Sequence, residues 1–354
     1  NKRIKFIMAY TGINKSTDFF NTKIYTGNSS SSHAITGVGF KPDWLWLKNR
    51  TASGNHFVVD VIRGANKVLV PNDSDAEATE SYVTSLDSDG FTLGSASNNV
   101  NGSYDYVGWS WKASGGQGSS NTDGSINTTY TSVNTTSGFS ISTYTGNGSA
   151  GATIGHGLGA VPDVIIVKKL SGTSDWSSYH SVLGNTGYMR FNNTNAFATA
   201  STYWNDTTPT STVFTAGTTG NINGSGANYV AYCFVAKKGF SKFGQYTGNG
   251  STNGTFVYTG FKPTFVMWKR YVDAGYDWDM YDTTRDTHNV AFKELITNSA
   301  GVESTATTLS LDILSNGFKL RTSNGNGNDD GKSYIYMAFG QSLVGSNNVP
   351  CTAR

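Results

Sequence analysis

Cysteine, proline and charge are all scarce in this chain, and the shortages remove whole classes of protein. Cys233 and Cys351 are the two cysteines among 354 residues, too few for a disulfide framework in a chain this size. Neither has a second cysteine close by, which excludes a paired-Cys metal site. Charged residues make up 14% of the chain and the net charge is +2. That balance leaves no electrostatic footprint for nucleic acid or an anionic membrane. No apolar run approaches the roughly 20 residues that a spanning helix needs, so membrane insertion is not expected. The first residues, Asn1 to Ala9, carry charge and a short apolar patch without the length of a signal-peptide core. Helical periodicity is missing too. The best stretch, Asp75 to Val83, has no sustained apolar stripe.

What is present points to β-structure. Aromatics reach 13% and glycine 42 residues, against 6 prolines. A chain low in charge but rich in aromatics has the means to build cores and is not disordered. Thr, Tyr, Val and Trp suit strands, and Gly, Asn, Asp and Ser suit turns.

Three ordered markers recur three times. Tyr25-Thr26-Gly27-Asn28 returns as Tyr144-Thr145-Gly146-Asn147 and Tyr246-Thr247-Gly248-Asn249. Each is followed, 17 or 18 positions after its Tyr, by Pro42, Pro162 or Pro263 and then an apolar run: Trp44 to Leu47, Val164 to Val167, Phe265 to Trp268. Each copy closes on an alternating stretch: Tyr106 to Trp111, Tyr229 to Phe234, Tyr334 to Phe339. Repeats at a fixed spacing signal repeated structural units. The expected organisation is an N-terminal segment 1–19, a β-module 20–113, a flexible Gly/Ser/Thr-rich linker 114–137, β-modules 138–238 and 239–343, and a C-terminal tail 344–354.

Each apolar run predicts a strand buried on both faces. Each closing strand has one large face (Val107, Trp109, Trp111 in the first copy) and a face of mostly small residues that lets a second layer approach. Asp89-Gly90 and Asn316-Gly317 before apolar alternation predict tight turns. The fold class is therefore all-β, as three tandem, divergent β-sandwich or jelly-roll-like modules. Cys233 aligns with Ser110 and Ala338 and reads as a small buried residue rather than a reactive thiol.

No catalytic set emerges. There is no Walker loop, nucleophile elbow or His-Glu-X-X-His. No enzyme activity, catalytic residue, cofactor or metal is expected, and Asn324 to Gly331 reads as a Gly/Asn loop rather than a calcium site. One region varies between copies. Asp60 and Arg63 in the first, and Asp282 and Arg285 in the third, are replaced by His180 and Leu183 in the second. A salt bridge leaving a strand is the plainer reading. The functional reading is a polar ligand patch of Asp60, Arg63, His180, Asp282 and Arg285 beside the aromatics Trp176 and Trp278, as at a sugar site.

The runs Phe20 to Asn28, Ile35 to Trp44, Val61 to Lys67 and Asp89 to Gly94 resemble a repeat module of uncharacterised function. That module is common in tail-fibre and other structural proteins of tailed bacteriophages, notably marine ones. The similarity runs from about Phe20 to Phe339 as three copies. The second departs most, with Leu183-Gly184-Asn185 in place of the Arg-Gly-Ala-Asn stretch. The resemblance implies a virion-surface protein, outside the cell, of tail-fibre or adhesin type for host attachment. Its implied partners are other virion proteins and a host surface glycan or protein, and it implies a homo-oligomer such as a trimer. The alternatives are a purely architectural subunit (capsid decoration, extracellular filament or surface layer) and a glycan depolymerase. The last needs two carboxylates about 5–10 Å apart, for which Asp60, Asp282 and Glu294 are candidates.

Overall fold

The computed structural model describes residues 11–94 and 97–344. The segment Asn1 to Ala9, Cys351 and nearly all of the expected tail lie outside the described residues.

The first unit comprises β1 (Phe20–Thr26), β2 (His33–Thr36), β3 (Trp44–Asn49), β4 (Phe57–Asp60), β5 (Gly64–Leu69), β6 (Ala78–Thr79), β7 (Val83–Asp87), β8 (Gly90–Leu93) and β9 (Asp105–Trp111). They form a six-stranded sheet, β1-β9-β3-β4-β5-β6, and a small sheet, β2-β8-β7.

The second unit has β10 (Tyr130–Asn134), β11 (Phe139–Thr145), β12 (Ala152–Gly155), β13 (Val164–Lys169), β14 (Ser177–His180), β15 (Gly187–Arg190), β16 (Ala198–Thr199), β17 (Val213–Ala216) and β18 (Asn228–Phe234). Its sheets are β10-β11-β18-β13-β14-β15-β16 and β12-β17.

The third has β19 (Ser241–Thr247), β20 (Phe256–Tyr258), β21 (Phe261–Arg270), β22 (Trp278–Asp282), β23 (Leu295–Ile296), β24 (Leu311–Leu314), β25 (Gly317–Leu320) and β26 (Ser333–Ser342), arranged as β19-β26-β21-β22-β23 and β20-β25-β24. In each unit the closing strand lies between the opening strand and the post-proline strand, antiparallel to both.

The alternation of side chains sets the layers. On β3, Leu45 and Leu47 point into the first unit's own core with Phe91 and Leu93 of the small sheet. Trp44 and Trp46 point the other way, into a second core shared by all three units. The both-face burial expected of these strands is thus present, and the small face of the closing strand meets the small sheet. A Cβ on Gly108 would stand 3.4 Å from the Phe91 ring. The large faces meet in the centre: Trp109 and Trp111 of the first unit, Tyr232 and Phe234 of the second, Met337 and Phe339 of the third. Phe339 lies 5.7 Å from Trp111 and 5.8 Å from Phe234, ring centroid to centroid. The described residues therefore form four cores, one inside each unit and one where the three large sheets converge. Removing these aromatic faces from water is the main driving force for closing the ring.

The stretch expected to be a flexible linker is instead built into the second unit. Within 114–137, β10 adds to the edge of β11. Ile126 bridges Ile154 on β12, and Gln117 donates to the Ile62 carbonyl of the first unit. Its Ser/Thr/Gly composition does not prevent strand addition, because an edge strand is held by backbone hydrogen bonds. Among the described residues no helix is long and apolar enough to cross a membrane.

Candidate functional site

The recurring Tyr-Thr-Gly-Asn marker is a latch. The Tyr25, Tyr144 and Tyr246 rings stack on Tyr106, Tyr229 and Tyr334 at 5.1, 5.2 and 4.9 Å. The loop then docks on a buried asparagine: Asn101, Asn223 and Asn328 accept from the backbone N–H of Asn28, Asn147 and Asn249 at 3.1, 2.9 and 3.1 Å. The glycine is required by contact, since a Cβ on Gly27, Gly146 or Gly248 would fall 1.9, 2.6 or 2.2 Å from a carbonyl oxygen. Of the three asparagines, only Asn328 falls in a stretch singled out from sequence, and there as part of a Gly/Asn loop. Their signal was there, an Asn five or six positions before each closing Tyr.

A second equivalent set joins the units. The Trp176 indole donates to the Val70 carbonyl of the first unit at 2.9 Å, and Trp278 donates to Arg190 of the second at 2.9 Å. At the same place in the first unit, His56 Nε2 lies 3.0 Å from the Ile296 carbonyl of the third. Each unit reaches the one before it, and the first reaches the third, so the ring closes. Three lysines, Lys48, Lys168 and Lys269, follow the same circuit. Their ammonium groups donate to Ala300, Ser74 and Thr194 carbonyls of the neighbouring units. Burial brings each of them down to about 8.

The candidate ligand patch lies inside these joints. Asp60, Trp176, His180, Trp278, Asp282 and Arg285 are all 4% exposed or less, and the Arg63 side chain is 3% exposed. Asp60 accepts from Arg63 Nε at 2.6 Å and from the Tyr232 hydroxyl of the second unit at 2.8 Å. Asp282 accepts from Arg285 Nε at 2.5 Å and from the Trp109 indole of the first unit at 3.0 Å. Each arginine continues to a glutamate, Glu77 at 3.2 Å and Glu303 at 3.1 Å. Burial pushes the Glu303 carboxyl up, but Arg50 and Arg285 outweigh it and hold the group below its ordinary value. The expectation of a sugar site from these seven residues is corrected. Their hydrogen bonds are made to one another and to neighbouring units, which closes them to a solvent-borne ligand.

The second unit's joint with the third is different in kind. His180, Leu183 and Phe197 stand where the other joints have Asp, Arg and Glu, and they face Met337 where the others face Tyr232 and Trp109. Met337 has no hydrogen to give, so an acid there would lack a donor. His180 Nε2 has only a long contact, 3.4 Å to the Tyr336 carbonyl, and burial lowers its pKa to about 4. A cavity of about 10 Å³ remains between Val164, His180, Phe191, Trp278, Ile335 and Met337.

The other candidates also find structural places. Cys233 is fully buried, and desolvation raises its thiol well above the ordinary value. The Asn324–Gly331 loop carries the latch residue Asn328, and Asp329 pairs with Arg270 at 2.9 Å. No cluster of three or more His, Cys, Asp or Glu among the described residues is placed to hold a metal.

Fold and joints together define a closed β-body of three units around one core. Residues 15–342 match the family described as a domain of unknown function, DUF7483, and the chain belongs to that family. The match is one span that runs through all three units. No curated protein and no solved structure matches the chain.

Proposed function

We propose that this chain is a virion-surface body of a tailed bacteriophage, a tail-fibre or adhesin-type component that attaches the particle to a host surface. The observation that supports this reading is the closed ring. Three units seal their inner faces into a shared core and turn their small sheets and loops outward. Such a body is rigid and multi-faced, which suits presentation of a binding face at the end of a fibre. Weak contacts on several copies would then add by avidity. The ring also bears on oligomeric state. A closed arrangement of three units is already present within one chain, so it fits a seat on a threefold partner without itself being a homotrimer.

The architectural alternative is supported by the same closure, since a sealed body also serves as a spacer or decoration. The depolymerase alternative loses two of its three candidate acids. Asp60 and Asp282 are held in buried ion pairs, and Glu294 sits against the buried Asp279 carboxyl. Binding of fluorescently labelled chain to host cells, with purified surface polysaccharide as competitor, tests the proposal. Saturable, competed binding is expected. Failure to bind any host with the fold intact would leave the architectural role.

A further inference from the structure

The three small sheets differ on their outer faces, and the difference serves no need of the fold. On β2 and β12 the outward positions hold Ala34 and Thr36, and Thr153 and Gly155. At the same register on β20 stand Phe256 and Tyr258, 45% and 52% exposed. Two alternate residues on a strand lie about 7 Å apart on one face. Inward Val257 packs on Phe318, just as Ile35 packs opposite Phe91, so the core does not call for the two rings. Contiguous exposed apolar surface marks interaction sites, and the two rings stand side by side on one face.

The polar groups around them are cationic in balance. Lys319 lies directly across from Phe256, where the other small sheets have Thr92 and Thr215. Asp312 follows across the next strand and is paired with Arg321 at 2.6 Å. The Lys242 ammonium sits 5.3 Å from the Tyr258 ring centroid. Three cations thus share the face with one carboxylate. The second unit covers the corresponding edge with the Ile126 bridge to β12, whereas β20 is an edge strand among the described residues.

We propose that this face of the third unit binds an acidic polysaccharide. The aromatic faces cover C–H surfaces of the sugar rings. Lys319, Lys242 and the Arg321–Asp312 pair hold the carboxylates or sulfates and the hydroxyls. This deepens the attachment reading by naming a ligand class and its face, and purified polymers test it apart from cells.

The experiment titrates the full chain by calorimetry with alginate and chondroitin sulfate, two acidic polymers of unlike backbone, and with neutral dextran. Saturable binding to an acidic polymer is expected, and none to dextran. The double variant Phe256→Ala/Tyr258→Ala should lose at least about tenfold in affinity, with a melting curve little changed because both rings are about half exposed on an edge strand. Tyr130→Ala, which alters an exposed aromatic on β10, should bind as the parent does. The proposal is overturned by absence of binding to both acidic polymers, by equal binding of dextran, or by full affinity in the double variant. Cell attachment that survives in the double variant would leave the attachment reading standing on another face.

Discussion

The joint between the first and second units and the joint between the second and third solve one problem in two ways. In the former, an acid, an arginine and a glutamate (Asp60, Arg63, Glu77) hold one another and take a hydroxyl from Tyr232. In the latter, His180, Leu183 and Phe197 fill the same positions against Met337, with a small void. The third joint, Asp282–Arg285–Glu303 with Trp109, follows the first pattern. The members change as a set, as buried ion pairs must. A buried carboxylate without its arginine, or without a donor across the joint, costs more than an apolar replacement of the whole group.

The largest effect that separates the joints is loss of one acid. Asp282→Ala takes the acceptor from Arg285 Nε, leaving Glu303 as the arginine's remaining acid, and strips the Trp109 indole of its acceptor in the core, so a loss of about 3–5 kcal/mol is expected. His180→Ala at the apolar joint should cost about 1 kcal/mol, since a 3.4 Å contact to the Tyr336 carbonyl and a 3.3 Å bond from the Val182 N–H are lost and no ion pair is broken. Urea unfolding followed by tryptophan fluorescence measures both, and equal losses would break the comparison.

The latches provide a contrast, because they are the same in all three units. Gly27→Ala, Gly146→Ala and Gly248→Ala should each cost about 1–3 kcal/mol through overpacking against a carbonyl. A unit that tolerated its substitution would show that its loop docks differently.

A graft sharpens the comparison further. His180→Asp alone buries an acid with no donor opposite. Adding Leu183→Arg and Met337→Tyr rebuilds the first joint's acid, arginine and tyrosine, and the coupling recovered should be about 0.5–3 kcal/mol. Additive costs in the cycle would show that the three positions do not act together.

The joint lysines add a comparison in pH. Their folded pKa of about 8 lies below the ordinary 10.5. Between those values the unfolded chain binds more protons than the folded one, so stability rises with pH across the window. The buried tyrosines, with Tyr106 and Tyr334 raised to about 12, reverse the slope above about pH 10, where unfolded phenols lose their protons first. Urea midpoints at rising pH should show the climb, and a Lys48→Met/Lys168→Met/Lys269→Met variant should lack it.

Much of the fold was legible because it rests on local patterning. The runs after Pro42, Pro162 and Pro263 are apolar at every position, and the structure buries both of their faces. The two-faced closing strands needed a second layer close by, and Phe91 provides it above Gly108. The site was less legible. Asp60 and Arg63 look the same in sequence whether a sugar or a tyrosine 172 positions away completes them. Only the joint change of Arg63 and Asp60 with Tyr232 between copies hinted at the answer, and it becomes readable once the partners are known. The linker misled for a related reason: Tyr130 to Asn134 lies inside a Gly/Ser/Thr-rich stretch that reads as a loop, and it pairs with β11 through its backbone.

With one core shared among them, the three units form one cooperative body. Differential scanning calorimetry of the full chain tests it most directly. A single transition with equal calorimetric and van't Hoff enthalpies, shifted as a whole by Asp282→Ala, is the result predicted. Two or three separate transitions, with Asp282→Ala moving only one of them, would contradict it.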